Sequence, residues 1–344
     1  MGILPNILFV LALILGIGYF ARNIRKIIRN IRLGKAADVT GPTAERWKNM
    51  ARIALGQQKM VVRPVSGFLH IIVYLGFIII NIEVLEIIID GVFGTHRIFS
   101  FLGGFYDFLI GSFEILALLV IVSVVIFWIR RNLLKLQRFW KPEMKGWPKK
   151  DADLILYIEV ILMGLFLTMN AADFRLQEMG VDHYNQAGAF PVSSYIAGWM
   201  SAWSETTLIA VERVAWWFHI LGILFFLNYL YYSKHLHILL AFPNTYFGRL
   251  KPQGQFNNLE SVQKEVALMM DPNADPFAPP AEDAPPPEKF GASDVMDLNQ
   301  IQLLNAYTCT ECGRCTSECP ANQTGKKLSP RKIMMDTRDR LEEV

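Results

Sequence analysis

Five long apolar runs constrain this chain more than any other feature, because each is long enough to cross a lipid bilayer. A membrane-spanning helix needs about 20 mainly apolar residues, and it satisfies its own backbone hydrogen bonds within the hydrocarbon core. A hydrophobic fraction of 52% with only 19% charged residues also argues against an ordinary soluble protein. We therefore predict a mainly α-helical protein built on a five-helix transmembrane bundle. The runs cover residues 3–20, 67–89, 105–129, 154–172 and 207–231.

The distribution of positive charge between these runs predicts the orientation of the chain. Residues 21–63 carry eleven Lys or Arg and residues 130–150 carry eight, whereas segments 91–104 and 173–206 carry one each. Basic loops stay on the cytoplasmic side, so we expect the N-terminus outside and the tail after Tyr232 in the cytoplasm. The basic residues are explained by the orientation of the chain in the membrane. The net charge of +3 therefore does not indicate nucleic-acid binding. The first run lacks the flanks of a cleaved signal peptide, and we expect it to remain as an anchor.

All four cysteines of the chain fall in one short run. Cys309, Cys312, Cys315 and Cys319 have the spacing C-x2-C-x2-C-x3-C and are followed by Pro320, as in the cluster-binding runs of bacterial ferredoxins. A structural zinc site is the alternative, although zinc sites usually pair two C-x2-C knuckles across a longer gap. In a reducing cytoplasm the thiols favour metal binding over disulfides. The run predicts a [4Fe-4S] cluster.

The fourth cysteine leaves the ligand set open. In two-cluster ferredoxins the last cysteine of such a run ligates the other cluster, and this chain has no second run. Either one self-contained cluster uses all four thiolates, or another subunit or a missing C-terminal domain supplies further cysteines. In the second case we expect Cys319 to reach across to the second cluster.

Histidines at the cytoplasmic ends of two runs predict a haem site, because imidazoles from facing helices hold a b-type haem. His70 and His237 lie at matching depth and form the preferred axial pair, with a hydrogen-bonded histidine at a helix end as the alternative. His235 is a weaker ligand candidate. Lys234, Arg63 and His235 are also candidates to contact the haem propionates, and snorkelling towards the interface is the alternative for such long side chains.

His219 raises the possibility of a second haem nearer the outer face. A continuous helix from His219 to His237 would rise roughly 27 Å over five turns, so the two imidazoles would point the same way at different depths. His96 is the first candidate for the partner of His219, and His183 is a poorer one. Without a partner, His219 either lies in a quinone pocket or is a satisfied buried histidine.

Charged side chains within the runs are costly in a membrane and are often functional. They are candidates to carry protons for a quinone, and pairing with a neighbouring side chain is the alternative for each. The sequence does not distinguish between these two roles. The residues concerned are Glu83, Glu86, Glu114, Glu159 and Arg213.

The loops and the tail have an organisation of their own. Basic residues at helical spacing predict an interfacial helix within 21–59, and the tryptophans of the loop 173–206 predict a helix at the membrane surface. Residues 259–270 predict an amphipathic helix, and 271–289 hold seven prolines, which indicates a semi-extended linker. Residues 293–305 favour a helix leading to the cysteines. We divide the chain into a transmembrane haem b domain (1–240), an amphipathic helix with linker (241–292) and a small cytoplasmic, ferredoxin-like iron–sulfur segment (293–344).

Several short motifs resemble two related groups of redox proteins. The membrane region resembles nitrate-reductase gamma-like cytochrome b proteins, and the tail is similar to iron–sulfur oxidoreductases of the heterodisulfide-reductase type. Together they are most similar to the membrane-bound electron-transfer-flavoprotein:menaquinone oxidoreductases of the bacterial cytoplasmic (inner) membrane. The motifs are Ala54-Leu-Gly56-Gln-Gln-Lys59, Gly67-Phe-Leu-His70, Leu75-Gly76-Phe77, Ser233-Lys-His-Leu-His237 and the segment from Cys309 to Pro330.

The resemblance implies two b haems held by four histidines on two helices. His70 and His237 match the inner pair and His219 matches one member of the outer pair, but Ile80 stands where the fourth ligand is expected. The resemblance also implies a second cysteine run and a cysteine-rich catalytic domain, neither of which this sequence contains. Menaquinone, membrane lipid and a flavoprotein donor are the partners it implies.

Two classes of function follow from these patterns. The first is a quinone-linked oxidoreductase subunit, in which electrons from a cytoplasmic donor pass through iron–sulfur clusters and haem b to a membrane quinone. The donor is a reduced electron-transfer flavoprotein or, alternatively, the thiol or hydroxy-acid site of a heterodisulfide-reductase-like or related dehydrogenase complex. The second class is a non-redox membrane scaffold with a structural metal site.

Overall fold

The computed structural model describes residues 3–37, 39–252, 254–255, 258–273 and 289–344. These residues are mainly α-helical and include no β-strand, only an isolated bridge between Lys35 and Asn299. Five helices are long and apolar enough to cross a membrane, in agreement with the five predicted runs, and indicate a multi-pass membrane protein. They are α1 (Ile3–Arg32), α3 (Pro64–Phe93), α4 (Gly104–Asn132), α5 (Trp147–Glu178) and α7 (Glu205–Tyr229).

Eight shorter α-helices occur in the described part of the chain. The predicted surface helix in the loop 173–206 is α6, and its Trp199 is 83% exposed, as suits a membrane interface. The predicted amphipathic helix at 259–270 is α9, whereas most of the proline-rich linker (274–288) lies outside the described residues. The short helices are α2 (Thr43–Met50, continued by a π-helical turn, Ala51–Leu55), α6 (Ser193–Trp199), α8 (His237–Tyr246), α9 (Glu260–Met270), α10 (Gln300–Thr308), α11 (Arg314–Ser317), α12 (Pro320–Gln323) and α13 (Pro330–Glu343).

Helix α5 occupies the centre of the bundle, where it contacts α4, α6 and α7. Helix α3 packs between α4 and α1, and α1 closes against α7. Lipid tails give helices no hydrophobic reason to associate, so close packing holds such bundles together. Glycine permits it here: a Cβ at Gly76 would lie 2.5 Å from Val120 Cγ2, and one at Gly91 would lie 2.5 Å from the Phe9 ring.

The basic segment after the first run differs from our prediction. It forms no separate interfacial helix but continues α1 without interruption to Arg32, and the short helix α2 follows later in the loop. The physical reason is local, because no Gly or Pro interrupts residues 19–32 and the chain buries Ile27 and Asn30 against the tail. The helix ends before Gly34, where a Cβ would lie 2.9 Å from the carbonyl oxygen of Leu298.

The expected continuous helix from His219 to His237 is wrong. Helix α7 ends at Tyr229, a 3-10 turn follows, and Ser233 adopts an extended conformation (φ −114°, ψ 145°) before the chain turns again into α8. The Ser233 hydroxyl accepts a hydrogen bond from the His235 backbone N–H at 3.0 Å, which caps the new turn. His237 therefore begins a new helix, and its direction does not follow from the periodicity of α7.

The tail folds back onto one end of the bundle. Leu303 and Tyr307 of α10 and Leu341 of α13 pack with Ile27 of α1 and Tyr229 of α7 in a shared apolar cluster. Asn30 donates a 2.9 Å hydrogen bond to the Tyr307 hydroxyl. We call this end of the bundle the cysteine end and the opposite one, where α3 finishes, the far end.

Candidate functional site

The cysteine loop, residues 309–319, turns tightly between α10 and α12. Glu311 and Gly313 both have positive φ (55° and 74°), which reverses the chain within the first two C-x2-C gaps. Gly313 also lies against α13, since a Cβ there would come within 2.8 Å of an Arg331 guanidinium nitrogen. Pro320 occupies the first turn of α12 and so ends the loop by starting a helix.

The thiols have different surroundings. Cys309, Cys312 and Cys319 are partly buried and Cys315 is exposed. Burial raises the pKa of Cys309, whereas at Cys312 the N–H groups and positive charge of Arg314 outweigh burial and lower the pKa. The Arg314 Nε lies 3.3 Å from Cys312 Sγ. A stabilised thiolate is the form that binds metal.

This donor set fits an iron–sulfur cluster better than a single metal ion. Zinc sites usually pair two C-x2-C knuckles across a longer gap, whereas this run has the spacing of a bacterial cluster-binding loop. Four free thiols share one loop, and the Glu311 backbone N–H points at Cys309 Sγ at 3.4 Å. Hydrogen bonds to sulfur are among the features that set cluster potentials.

A buried network of ion pairs fixes the cysteine loop to the bundle. Glu311 is 3% exposed and pairs with Lys234 and with Arg338, the latter at 2.9 Å. Burial alone would raise the pKa of Glu311, but these two cations lower it. Arg331, 1% exposed, forms a 2.7 Å pair with Glu143 from the loop between α4 and α5. Through Arg338 and Arg331, helix α13 thus holds the cysteine loop and the loop between α4 and α5 together.

The structure brings His70 and His237 together beside this loop. Their ring centres are 6.5 Å apart and their planes are inclined by 41°. An imidazole nitrogen binds a metal at about 2 Å and the ring centre lies about 1 Å behind it, so a metal held axially between two rings separates their centres by about 6 Å. The observed spacing fits a haem iron with two histidine ligands.

The hydrogen bonds of these histidines also suit metal binding. The Nδ1 atom of His237 lies 3.2 Å from the carbonyl oxygen of Lys234, which favours a tautomer with Nε2 free. Burial lowers the pKa of His237 to about 4 and, with His237 beside it, that of His235 to about 3, so both are neutral at physiological pH. Nδ1 of His70 is buried and has no hydrogen-bond partner among the described residues.

Three side chains were predicted to contact haem propionates. They lie near the histidine pair and the cysteine loop. The Lys234 ammonium group bonds to Glu311 and to the Pro148 carbonyl oxygen, the latter at 2.6 Å. Arg63 donates a 2.8 Å hydrogen bond to the Ser317 hydroxyl. His235 packs with its ring centre 5.3 Å from both His237 and Phe226. Contact of these three residues with propionates stays a prediction.

His219 is buried and has no histidine partner among the described residues. It is 1% exposed, and its Nδ1 atom lies 3.0 Å from the Leu162 carbonyl oxygen, which again leaves Nε2 free. Ile80, at the position of the expected fourth ligand, is buried in the apolar core. No contact in the described structure joins His219 to His96, which instead lies near Asp173, His183 and Tyr184. The second haem therefore stays a prediction.

Sequence patterns missed a buried polar cluster at the far end. Arg97 lies in the α3–α4 loop, pairs with Asp173 of α5, and bonds to Tyr106 at 3.1 Å and Asn170 at 3.0 Å. Burial alone would lower the pKa of Arg97, but the Asp173 carboxylate keeps it well above its usual value. The detectable signal was that Arg97 is the sole basic residue of a loop between two apolar runs.

Comparison with known proteins supports the iron–sulfur assignment. No protein-family model and no solved structure matches the chain. The chain is 28% identical over 340 residues to the probable iron-sulfur-binding oxidoreductase FadF of Bacillus subtilis (strain 168). This alignment covers 98% of this chain and 43% of that protein. The chain is also 24% identical over 297 residues to the EtfAB:quinone oxidoreductase of Syntrophomonas wolfei. This second alignment covers 84% of this chain and 36% of that protein.

A shorter match concerns the tail chemistry. The probable membrane-anchored ferredoxin of Chromohalobacter salexigens is 38% identical over 47 residues, which is 14% of this chain and 7% of that protein. The chain spans less than half the length of each of these relatives. Together these similarities support iron–sulfur binding and an association with the membrane.

Proposed function

We propose that this chain is the membrane electron-transfer unit of a quinone-linked oxidoreductase. A [4Fe-4S] cluster on Cys309, Cys312 and Cys315 would receive electrons from a cytoplasmic donor, a reduced electron-transfer flavoprotein. A b-type haem on His70 and His237 would relay them towards menaquinone. The names of two relatives, an iron–sulfur oxidoreductase and an EtfAB:quinone oxidoreductase, support this choice.

The proximity of the cysteine loop to the histidine pair carries the proposal: Lys234 pairs with Glu311 of the loop, and its carbonyl oxygen lies 3.2 Å from Nδ1 of His237. Arg314 reaches Cys312 Sγ with its Nε and, at 3.2 Å, the Lys59 carbonyl oxygen with a terminal guanidinium nitrogen. Its positive charge also contributes to the lowered pKa of His237. Two redox sites linked through one residue are arranged for electron transfer between them, whereas a structural metal site would not require the two histidines.

The histidines supply a defined haem chemistry. A haem with two imidazole ligands has no open coordination position, which suits one-electron transfer rather than oxygen or substrate binding. The protein contributes the neutral imidazole of His237, one hydrogen bond from its Nδ1 that orients the ring, and a half-buried position for both histidines. The Lys234 carbonyl oxygen accepts that bond, and the positive charge of Arg314 acts on His237.

The proposal also includes the orientation of the chain in the membrane and the source of the further cysteine ligands. The positive-inside bias would place the cysteine end in the cytoplasm, within reach of a soluble flavoprotein. A second cysteine-rich subunit or domain would complete the clusters and receive Cys319. The exposed Cys315 lies on the open side of the loop, where such a partner would fit.

Optical spectra of the purified protein test the haem assignment. We expect a dithionite-reduced minus oxidised spectrum to show a b-type α-band, and the variants His70→Ala and His237→Ala to lose it. His183→Ala is the matched control, because His183 lies at the far end beside His96. A wild-type protein without the band, or a His70→Ala variant with full haem content, contradicts the proposal.

Iron and sulfide analysis tests the cluster separately. We expect Cys312→Ser to lose acid-labile sulfide in any context. Cys319→Ser should lose it only if all four thiolates serve one self-contained cluster. Equal sulfide content in the wild type and Cys312→Ser would reject a cluster on this loop.

A further inference from the structure

We propose that Glu83 carries protons from water in a cleft at the far end of the bundle to the quinone-reducing reaction. This inference rests on the proposed function, because reduction of a quinone to its hydroquinone takes up two electrons and two protons. The electrons come from the reduced centres at the cysteine end. The protons would enter from the opposite end, through the carboxyl group of Glu83.

The cleft provides space for water next to that carboxyl group. It has a volume of about 50 Å³ and lies between α1, α3 and α7, with Asn6, Phe9 and Trp216 in its walls. One water molecule occupies about 30 Å³ of the liquid and needs two to four polar partners. Glu83, His96 and Arg97 line the cleft and supply such partners, so it is suited to one or two water molecules.

Two buried polar atoms at the cleft lack a protein partner. Glu83 is 3% exposed, and its Oε2 atom has no hydrogen-bond partner in the described residues; the same holds for Nδ1 of His96. Buried polar atoms in proteins almost always have a partner, which is often an ordered water molecule. The two unpaired atoms therefore indicate water in the cleft, with Glu83 as the deepest carboxyl group on α3 that it reaches.

The neighbouring glutamates are occupied by structural hydrogen bonds. Glu86 accepts bonds from the Phe99 backbone N–H and from the Tyr106 hydroxyl, both at 2.8 Å. Glu114 accepts bonds from the backbone N–H groups of residues 192 and 193 at 2.8 and 3.0 Å and from Asn170 at 3.2 Å. These carboxylates tie loops to the bundle, whereas Glu83 keeps one oxygen atom available.

The charged neighbours of the cleft are already paired. Arg97 is engaged by Asp173, and Arg213 by the adjacent Glu212. The remaining acid at the cleft, Asp90, accepts hydrogen bonds from Thr95 and from the backbone N–H of Arg97. Glu83 forms no ion pair in the described structure, and an unpaired carboxyl group at this depth marks a functional position.

Glu83 also stands between the far-end water and the redox sites. It lies thirteen residues along α3 from His70, which is about 20 Å of helix. Trp216, in the wall of the cleft, precedes His219 by one turn of α7. A proton on Glu83 is therefore already inside the bundle, on the same helix as the proposed haem ligand.

Single-turnover reoxidation of the haem tests this role. The full chain, in complex with its natural subunits if it has any, is reduced with stoichiometric dithionite and mixed with menadione in H₂O and in D₂O. We expect Glu83→Gln to slow reoxidation by tenfold or more, to change the solvent isotope effect and to leave haem reduction by dithionite unchanged. Glu83→Asp should recover part of the rate, and Glu178→Gln, a partly exposed glutamate at the same end, should match the wild type.

The side of proton entry is measured in proteoliposomes with a trapped pH indicator. Dithionite does not cross the membrane and reduces only molecules whose cysteine loop faces outward, so their far end faces the lumen. We expect menadione to make the lumen alkaline with the wild type and Glu178→Gln but not with Glu83→Gln. A wild-type haem that menadione does not reoxidise refutes the proposed function itself. A normal rate and luminal alkalinisation in Glu83→Gln refute the proton-carrying role alone.

Discussion

The ammonium group of Lys234 lies against the buried carboxylate of Glu311, and this pair joins the turn before His237 to the cysteine loop. The carbonyl oxygen of the same lysine faces Nδ1 of His237. One residue thus touches both the proposed haem ligand and the loop that would hold the cluster. Such an arrangement fixes the distance between the two sites.

Replacing Lys234 by methionine should loosen the cysteine loop. Breaking a buried ion pair costs about 3 to 5 kcal/mol, and we expect the lower end because Arg338 remains beside Glu311. Thermal unfolding and limited proteolysis of the tail measure the change. Lys332→Met is the matched control, since Lys332 pairs with Asp336 on the exposed face of α13. Equal behaviour of the two variants would show that the buried pair does not hold the loop.

Gly76→Ala should disturb the contact between α3 and α4. The new Cβ would lie 2.5 Å from Val120 Cγ2, and overpacking of this kind costs about 1 to 3 kcal/mol. We expect a lower unfolding temperature and reduced haem content, because α3 also carries His70. Gly164→Ala is the control, as nothing lies within 4 Å of a Cβ there. A Val120→Ala substitution should restore stability, and its failure to do so would exclude the steric explanation.

His219→Leu should retain the haem at His70 and His237. The imidazole of His219 contacts the Leu162 carbonyl oxygen and the Phe166 ring, and no described contact links it to that pair. Reduced spectra and a haem-to-protein ratio measure the outcome. Loss of part of the haem would identify His219 as a ligand of a second haem, whereas loss of all haem would contradict the assigned pair.

Acid should weaken the docking of the tail. Hydrogen bonds from Arg340 and from the Val295 backbone N–H lower the pKa of Asp294 from 3.8 to about 2. A carboxyl group with a depressed folded-state pKa stabilises the fold above its unfolded pKa and loses this effect as the pH falls towards the folded value. We therefore expect α13 to become protease-sensitive between about pH 4 and pH 2, the window set by that shift. Asp294→Asn should be equally sensitive at pH 6, and a wild-type tail unchanged at pH 2 would contradict the prediction.

The sequence predicted the parts of this protein that depend on local pattern. Long apolar runs fix the five membrane helices because lipid offers no other partner to the backbone. The cysteine spacing fixes the kind of loop, and the choice of His70 and His237 as a pair followed from matched depth alone. The break at Ser233 was missed because no glycine or proline marks it.

Only the tertiary structure decided which of several chemically identical side chains keeps an atom without a hydrogen-bond partner. Glu83, Glu86 and Glu114 are equivalent in the sequence, but backbone N–H groups from distant loops occupy two of them and leave an oxygen of Glu83 without a partner. The same is true of Lys234, whose partner Glu311 is 77 residues away. Composition and periodicity determine where a chain enters the membrane. The hydrogen-bond partners of a buried polar group come from segments that are distant in the sequence, and no local sequence pattern links such segments.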